Sequence, residues 1–108
     1  MKDRKLAVRY AKALLAAVPP GETARQVEAF LLGIGAAMEQ VRELRELLLD
    51  PAVSKPERVK VLTGMAEQYN LPIEVHRFLV TVVDHRRIVN IAEIAEMFRA
   101  LREKAAGI

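Results

Sequence analysis

Apolar side chains recur every three or four residues along most of this chain, and no segment alternates apolar and polar residues as a strand does. A spacing of three and four places side chains on one face of an α-helix, whereas a half-buried strand needs a period of two. Proline, glycine and capping residues interrupt the pattern at short intervals. The sequence therefore predicts an all-α fold, a single-domain bundle of about six helices whose apolar faces pack against one another.

The interruptions divide the chain into separate helices. Residues 19–21, Pro-Pro-Gly, end the first helix, and a bend near residues 41–43 separates the second helix from a short third one. The residue before Pro51 must be extended, which ends the third helix. Residues 70–72 separate helices four and five, and the sixth helix continues toward Gly107.

Three capping-box patterns mark predicted helix starts. In such a box a Ser, Thr or Asn side chain and a Glu or Gln three residues later satisfy two unpaired backbone amides of the first turn. The pairs are Thr23 with Gln26, Ser54 with Glu57, and Asn90 with Glu93, the last flanked by Val89 and Ile94 as a hydrophobic staple. We expect helices two, four and six to begin at these positions.

Composition and charge narrow the class of protein. The chain has 108 residues, of which 52% are hydrophobic and 29% charged, as expected of one globular domain. It has no cysteine, so no disulfide or thiolate site is expected. The longest uncharged run, Ala29 to Met38, has ten residues, about half of a membrane-spanning helix. The net charge of the chain is +3. The first twelve residues contain five basic residues and Asp3, a sum of +4, so the remaining residues sum to −1. The basic charge is therefore not spread along a face, as it is in nucleic-acid-binding modules.

Candidate catalytic and ligand-binding residues are few. Ser54 is the only serine and already has a role as a helix cap. His76 and His85 lie nine positions apart, without a carboxylate or thiolate cluster to complete a metal site. Gly33-Ile34-Gly35 begins like a dinucleotide-binding fingerprint, but Met38 occupies the third glycine position, so we expect these glycines to permit close helix contact instead. The sequence predicts a protein without catalytic, metal or cofactor-binding residues, which acts by contact.

The first helix has a shallow apolar face on which Tyr10 is the only ring. Its other members are mostly alanines, Ala7, Ala13 and Ala17. Such a face suits the docking of an amphipathic partner helix, and it suits equally well tight packing inside the bundle. The phenylalanines lie on apolar faces and are expected in the core, at Phe30, Phe78 and Phe98.

Three segments share their order and spacing with one known family. They are Val8 to Leu14 (VRYAKAL), Leu48 to Val53 followed by Lys55, and Phe78-Leu79 leading to Asp84-His85-Arg86-Arg87. In these segments the chain resembles the ATP synthase delta subunit family, which typically carries R-x-Y-A-K-A-L-like, N-P-x-V-like and N-R-R-like segments at these places. Asp50 replaces the commoner asparagine, and Asp84-His85 stands where the family often has an amide or a glutamate.

The resemblance implies a non-catalytic adaptor in an F-type ATP synthase. Residues 1–108 would be the N-terminal helical domain, without the C-terminal region through which the family contacts the b subunit of the peripheral stalk. The domain would act as part of the stator by binding the N-terminal helix of an alpha subunit of the catalytic head, and would support proton-driven ATP synthesis. It would lie on the cytoplasmic side of the bacterial membrane, associated with it only through the complex, and would bind neither nucleic acid nor a cofactor.

The resemblance also implies a groove between helices one and five. The residues nominated for this groove are Leu6, Tyr10, Ala13, Ala17, Phe78, Thr81, Val82 and His85, with Lys12 and Asp84 as rim charges. Arg9 is expected beside Lys12 in the basic part of the rim. Two other classes stay open. One is a small basic RNA-binding bundle of the antitermination-factor type, whose binding would be sensitive to salt. The other is a homodimeric scaffold that uses the same alanine-rich face on itself.

Overall fold

The computed structural model describes residues 3–107 of the chain. Within them lie six α-helices and one 3-10 turn, and no β-strand: α1 (Arg4–Ala17), α2 (Glu22–Gln40), α3 (Arg42–Leu49), α4 (Lys55–Ala66), α5 (Ile73–Asp84), the 3-10 turn (Ile88–Asn90) and α6 (Ile91–Ala105). The predicted all-α bundle is therefore confirmed. The predicted bend is also present, at Val41, where an extended residue separates α2 from α3.

The helix starts agree with the capping prediction at α4 and differ at α2. Ser54 Oγ accepts a hydrogen bond from the Glu57 backbone N–H at 3.3 Å, as predicted. At α2 the helix begins one residue before Thr23, directly after Gly21, so the predicted Thr23 cap is wrong. Gly21 has a φ of +86°, a conformation that glycine adopts at little cost, and its backbone ends the preceding turn without help from a side chain.

The start of α6 also differs from the prediction. The Asn90 side chain makes no capping bond, because Asn90 already belongs to the 3-10 turn that leads directly into α6. The Glu93 carboxylate instead accepts the Asp3 backbone N–H at 2.7 Å. Val89 is 46% exposed, so the predicted hydrophobic staple is not formed as a buried contact. Glu93 therefore joins α6 to the start of α1, which is itself capped by the Asp3 side chain.

Close packing between α2 and α6 forms the centre of the core. Phe30 and Phe98 are 1% and 0% exposed. A methyl group added at Gly35 would lie 3.1 Å from both Cα and Cβ of Ala92, so the two backbones approach as closely as glycine allows. The prediction of close helix contact is confirmed for Gly35. Gly33 is exposed, and a methyl group there would meet nothing nearer than 3.7 Å.

An ion pair also joins α2 to α6. Arg102 Nε donates to Glu28 Oε1, and the two side chains are only 14% and 15% exposed. The hydrogen bond with Glu28 raises the pKa of Arg102 above its usual value. Removing either partner would leave a mostly buried charge uncompensated, which is the costly way to break such a pair.

Asp50 shapes the turn between α3 and α4. Its Oδ1 accepts the Ala52 N–H at 2.9 Å, and its backbone carbonyl accepts a hydrogen bond from the guanidinium of Arg58. Arg58 is 8% exposed, so its guanidinium holds this turn from the buried side. An asparagine would offer the same Oδ1 acceptor, and the departure from the family pattern at Asp50 therefore leaves the chemistry of the turn unchanged.

The turn after α5 fixes the end of that helix. Arg86 adopts a left-handed conformation, with φ of +57°. Its N–H donates to the Val83 carbonyl at 3.0 Å, and the Arg87 N–H donates to the Val82 carbonyl at 2.8 Å. This is the hydrogen-bond pattern of a Schellman motif, with arginine at the position that usually holds glycine. The motif leaves His85 as the residue that caps α5, facing the first helix.

Candidate partner-binding groove

An open groove of about 560 Å³ lies between α1 and α5. Its lining residues are Arg9, Tyr10, Ala13, Leu14 and Ala17 from α1, and Glu74, Arg77, Phe78, Thr81 and His85 from α5. On each helix these residues follow one another mainly at intervals of three or four, so each helix contributes one face. Tyr10 in the middle of α1 is hydrogen-bonded to His85, the residue that follows α5.

The α1 side of the groove is low because its exposed residues are alanines. Ala13 and Ala17 are exposed and lie one helical turn apart. Leu14 lies beneath them and is 2% exposed, so an apolar surface continues down into the core. With no side chain extending beyond Cβ at these two positions, the backbone of another helix could come close to α1.

Three rings form one end of the groove. The centroid of the Tyr10 ring lies 6.4 Å from that of Phe78 and 6.3 Å from that of His85, in both cases edge to face. The Tyr10 hydroxyl is hydrogen-bonded to His85 Nδ1 at 2.8 Å. Phe78 is 9% exposed and borders both the groove and the core. The rings of the two helices are thus tied together across the groove by a polar contact and two aromatic ones.

The structure brings together most of the residues that the sequence nominated for the groove. Those that line it are Tyr10, Ala13, Ala17, Phe78, Thr81 and His85. Leu6 and Val82 are not among the lining residues. Both are buried, at 6% and 0% exposed, and Val82 belongs to the hydrophobic core cluster.

The two nominated rim charges, Lys12 and Asp84, are not among the lining residues. Lys12 is exposed on α1. Asp84 forms an ion pair with Lys55 of α4 at 3.8 Å, so its carboxylate is directed toward α4.

Three charged residues line the groove. One is Arg9 on α1, which was expected with Lys12 in the basic rim. The other two, Glu74 and Arg77 on α5, were not predicted from the sequence. Helical spacing would have found them, because Glu74 precedes Phe78 by four positions and Arg77 precedes Thr81 by four.

Metal-ligand clusters and membrane-spanning helices are absent from the part of the chain that the structure describes. Among residues 3–107 no three His, Asp or Glu side chains are placed to hold a metal ion. No helix in that range is long and apolar enough to cross a membrane. His76 Nδ1 lies 3.4 Å from Thr63 Oγ1 on the α4 side of α5, away from the groove.

Comparison with known proteins gives one consistent result. The family described as ATP synthase delta (OSCP) subunit matches residues 6–108. The chain is 28% identical to the ATP synthase subunit delta of Aquifex aeolicus, over 100% of this chain and 60% of that protein. It is 31% identical to the subunit delta of Acidobacterium capsulatum, over 94% of this chain and 58% of the relative, and 34% identical to that of Desulforamulus reducens, over 94% and 56%. The chain therefore spans less than two thirds of the length of these relatives.

Proposed function

Because the chain belongs to the ATP synthase delta (OSCP) subunit family, we propose that its α1–α5 groove binds the N-terminal helix of an alpha subunit. In doing so it links the catalytic head of an F-type ATP synthase to the peripheral stalk, as a non-catalytic stator component that supports proton-driven ATP synthesis. The observation that carries this proposal is the open groove with exposed alanines on one side and aromatic rings at one end.

The shape of the groove suits an amphipathic helix. Such helices dock by inserting side chains at positions i, i+3, i+4 and i+7 into an apolar groove. Ala13 and Ala17 let the partner backbone approach α1, while Phe78 and Tyr10 offer ring surfaces for its apolar side chains. A helix with its side chains is about 10 to 12 Å across, so only part of it needs to enter the space between α1 and α5.

The composition of the groove suits a complex that dissociates slowly. A stator must resist rotor torque, so the complex needs a low dissociation rate, and affinity differences arise mostly in that rate. Aromatic side chains at the centre of an apolar contact are the residues that usually carry such binding energy. Arg9, Glu74 and Arg77 line the groove. Charges at the edge of an interface act mainly on the association rate. Their effect on binding is modest at physiological salt, because salt screens exposed charges beyond about 8 Å.

Other parts of the assembly follow from the same proposal. Contact with the b subunit of the peripheral stalk is assigned to the region of the family that lies beyond the part matched here. The protein works on the cytoplasmic side of the bacterial membrane and meets the membrane only through the complex. It uses no cofactor and binds no nucleic acid.

The test is binding of a synthetic peptide of the alpha-subunit N-terminus from the same organism. Ala13→Trp and Ala17→Trp should each weaken binding at least about tenfold, about 1.4 kcal/mol, because bulk on the shallow face holds the partner helix away. The melting temperature should stay unchanged, since both alanines are exposed. Lys12→Trp is the matched control, because Lys12 is exposed on the same helix but outside the groove, and it should bind normally.

The salt dependence separates the proposal from the RNA-binding alternative. Affinity for the peptide should fall only mildly between about 50 and 200 mM salt, whereas an RNA module that neutralises several phosphates would lose about three orders of magnitude or more. Normal peptide binding by both folded groove variants would show that the α1 face is not the site. Tight, salt-sensitive binding of structured RNA without peptide binding would favour the alternative.

A further inference from the structure

Tyr10 is held from the opposite helix at two points. Phe78 and His85 lie two turns apart on α5, and their ring centroids are nearly equidistant from that of Tyr10, at 6.4 and 6.3 Å. The Tyr10 side chain therefore lies between two rings of the same helix. Its hydroxyl adds a hydrogen bond of 2.8 Å to His85 Nδ1.

On its own helix Tyr10 has little on the groove face to restrain its ring. The next lining residues along α1 are Ala13 and Ala17, both exposed and neither extending beyond Cβ. The ring is half-buried and packs against the edge of the hydrophobic core. The hydrogen bond and the ring contacts from α5 add a defined direction to that packing, because they fix the hydroxyl end of the side chain as well as its faces.

The hydrogen bond can form in any protonation state of the imidazole. A tyrosine hydroxyl both donates and accepts. If Nδ1 carries no proton the hydroxyl donates to it, and if Nδ1 carries a proton the hydroxyl oxygen accepts from it. The surrounding charges include Arg9 on α1, Arg86 and Arg87 after the ring, and Asp84 before it, which is paired with Lys55 of α4. The Tyr10–His85 hydrogen bond does not depend on the charge state of any of these neighbours.

The backbone at His85 is itself fixed. The His85 N–H donates to the Thr81 carbonyl at 3.0 Å, and the left-handed Arg86 that follows closes α5. The imidazole thus projects from the capped end of a helix and not from a loop. A ring held in this way can serve as a fixed point for a side chain on another helix.

We propose that His85 is a positioning residue, which holds the Tyr10 ring against Phe78 and so keeps one end of the α1–α5 groove formed before the partner helix arrives. The expected consequence is tighter binding of the partner helix, because a ring that is already in place does not have to be ordered on binding. This consequence rests on the proposed function. A hydrogen bond of this kind is worth about fivefold in affinity when the partner needs the ring in place.

The experiment is a double-mutant cycle on the 108-residue chain with the alpha-subunit peptide as the probe. Tyr10→Phe removes only the hydroxyl, and His85→Phe keeps a ring but removes the nitrogen that bonds to the hydroxyl. Each should weaken binding about fivefold, and the double variant should also be about fivefold weaker, because both changes remove the same bond. Fully multiplicative losses, about 25-fold in the double variant, would overturn the proposal.

Rescue and a matched pair exclude a general structural effect. His85→Asn should restore most of the affinity, because asparagine Oδ1 stands as many bonds from Cβ as histidine Nδ1 and can accept the Tyr10 hydroxyl. Thr63→Val and His76→Ala break a comparable hydroxyl–imidazole contact of 3.4 Å on the α4 side of the same helix. They should leave peptide affinity unchanged.

A measurement on the free chain separates this inference from the proposed function. NMR couplings and nuclear Overhauser effects should show one Tyr10 rotamer, close to Phe78, in the wild type and rotamer averaging in His85→Phe. A wild-type chain that does not bind the peptide would contradict the proposed function, while the NMR result would still decide the role of His85. A Tyr10 ring that is averaged in the wild type, or equally ordered in His85→Phe, would overturn the positioning role.

Discussion

Two helix pairs in this molecule use small residues to opposite ends. Between α2 and α6, Gly35 lies against Ala92 so closely that a single added methyl group would stand 3.1 Å from its backbone. Between α1 and α5, Ala13 and Ala17 are exposed and line an open groove. Small side chains permit close approach in both places. In the α2–α6 pair the approaching helix is part of the same chain, whereas beside Ala13 and Ala17 the space is open.

The difference lies in what surrounds the small residues. Around Gly35 the core is filled by Phe30 and Phe98, which are 1% and 0% exposed, so the facing sides of α2 and α6 are closely packed. Beside Ala13 the rings of Tyr10 and Phe78 occupy the space at one end of the groove. The α2–α6 contact is complete, whereas the α1–α5 contact has apolar surface that another helix could cover.

The largest expected effect tests whether the α2–α6 contact contributes more to the free energy of unfolding than the α1–α5 contact does. Phe98→Ala should lower the free energy of unfolding by about 3 to 5 kcal/mol, the usual cost of removing a fully buried phenylalanine, and Phe30→Ala should match it. Phe78→Ala should cost less, about 2 to 3 kcal/mol, because its site opens onto the groove and can relax. Urea unfolding monitored by circular dichroism measures all three. An equal loss for Phe78 and Phe98 would mean that the groove end is as firmly packed as the core.

A middle-sized effect compares two alanines of α1. Ala11 is 0% exposed and faces the core, whereas Ala13 is exposed in the groove. Ala11→Leu should therefore cost about 1 to 3 kcal/mol by overpacking, while Ala13→Leu should change stability by less than about 0.5 kcal/mol. Thermal and urea unfolding of the two variants give the comparison. Destabilisation by leucine at position 13 would show that the groove is tighter than its open shape indicates.

The smallest effect compares the two glycines of α2. Gly33→Ala should raise stability by about 0.5 to 1 kcal/mol, because alanine is the better helix former and the position is open. Gly35→Ala should instead lower it by about 1 kcal/mol net, since overpacking against the Ala92 backbone outweighs the same gain in helix propensity. A similar gain in both variants, measured by urea unfolding, would show that α6 can move away at little cost.

Much of the fold was predictable because its signals are local. The six helices follow from apolar spacing, and the Ser54 cap follows from a hydroxyl three residues before an amide that needs a partner. The caps predicted at Thr23 and Asn90 failed where the backbone had another solution. Gly21 begins α2 through its own conformation, and a 3-10 turn leads into α6. Capping patterns compete with such turns, and residue spacing alone does not show which will form.

The groove was predictable in outline, from a family resemblance as well as from spacing, but not in its membership. Leu6, Tyr10, Ala13 and Ala17 recur at helical spacing, yet Leu6 is buried and the two alanines are exposed. Val82 shares α5 with Thr81 and lies in the core, while its neighbour lines the groove. Periodicity shows which residues share a face, but it does not show how far along that face a neighbouring helix extends.

The sequence by itself determined the helices, their order and the short turns between them, because those depend on interactions within a few residues of each position. It also determined the apolar faces that had to be buried. Only the tertiary structure decided that α1 and α2 pack chiefly on α6, and that α1 and α5 meet with a groove between them. Exposure depends on the distance between helices that are far apart in the chain, and that distance is set by side-chain volumes across the whole core.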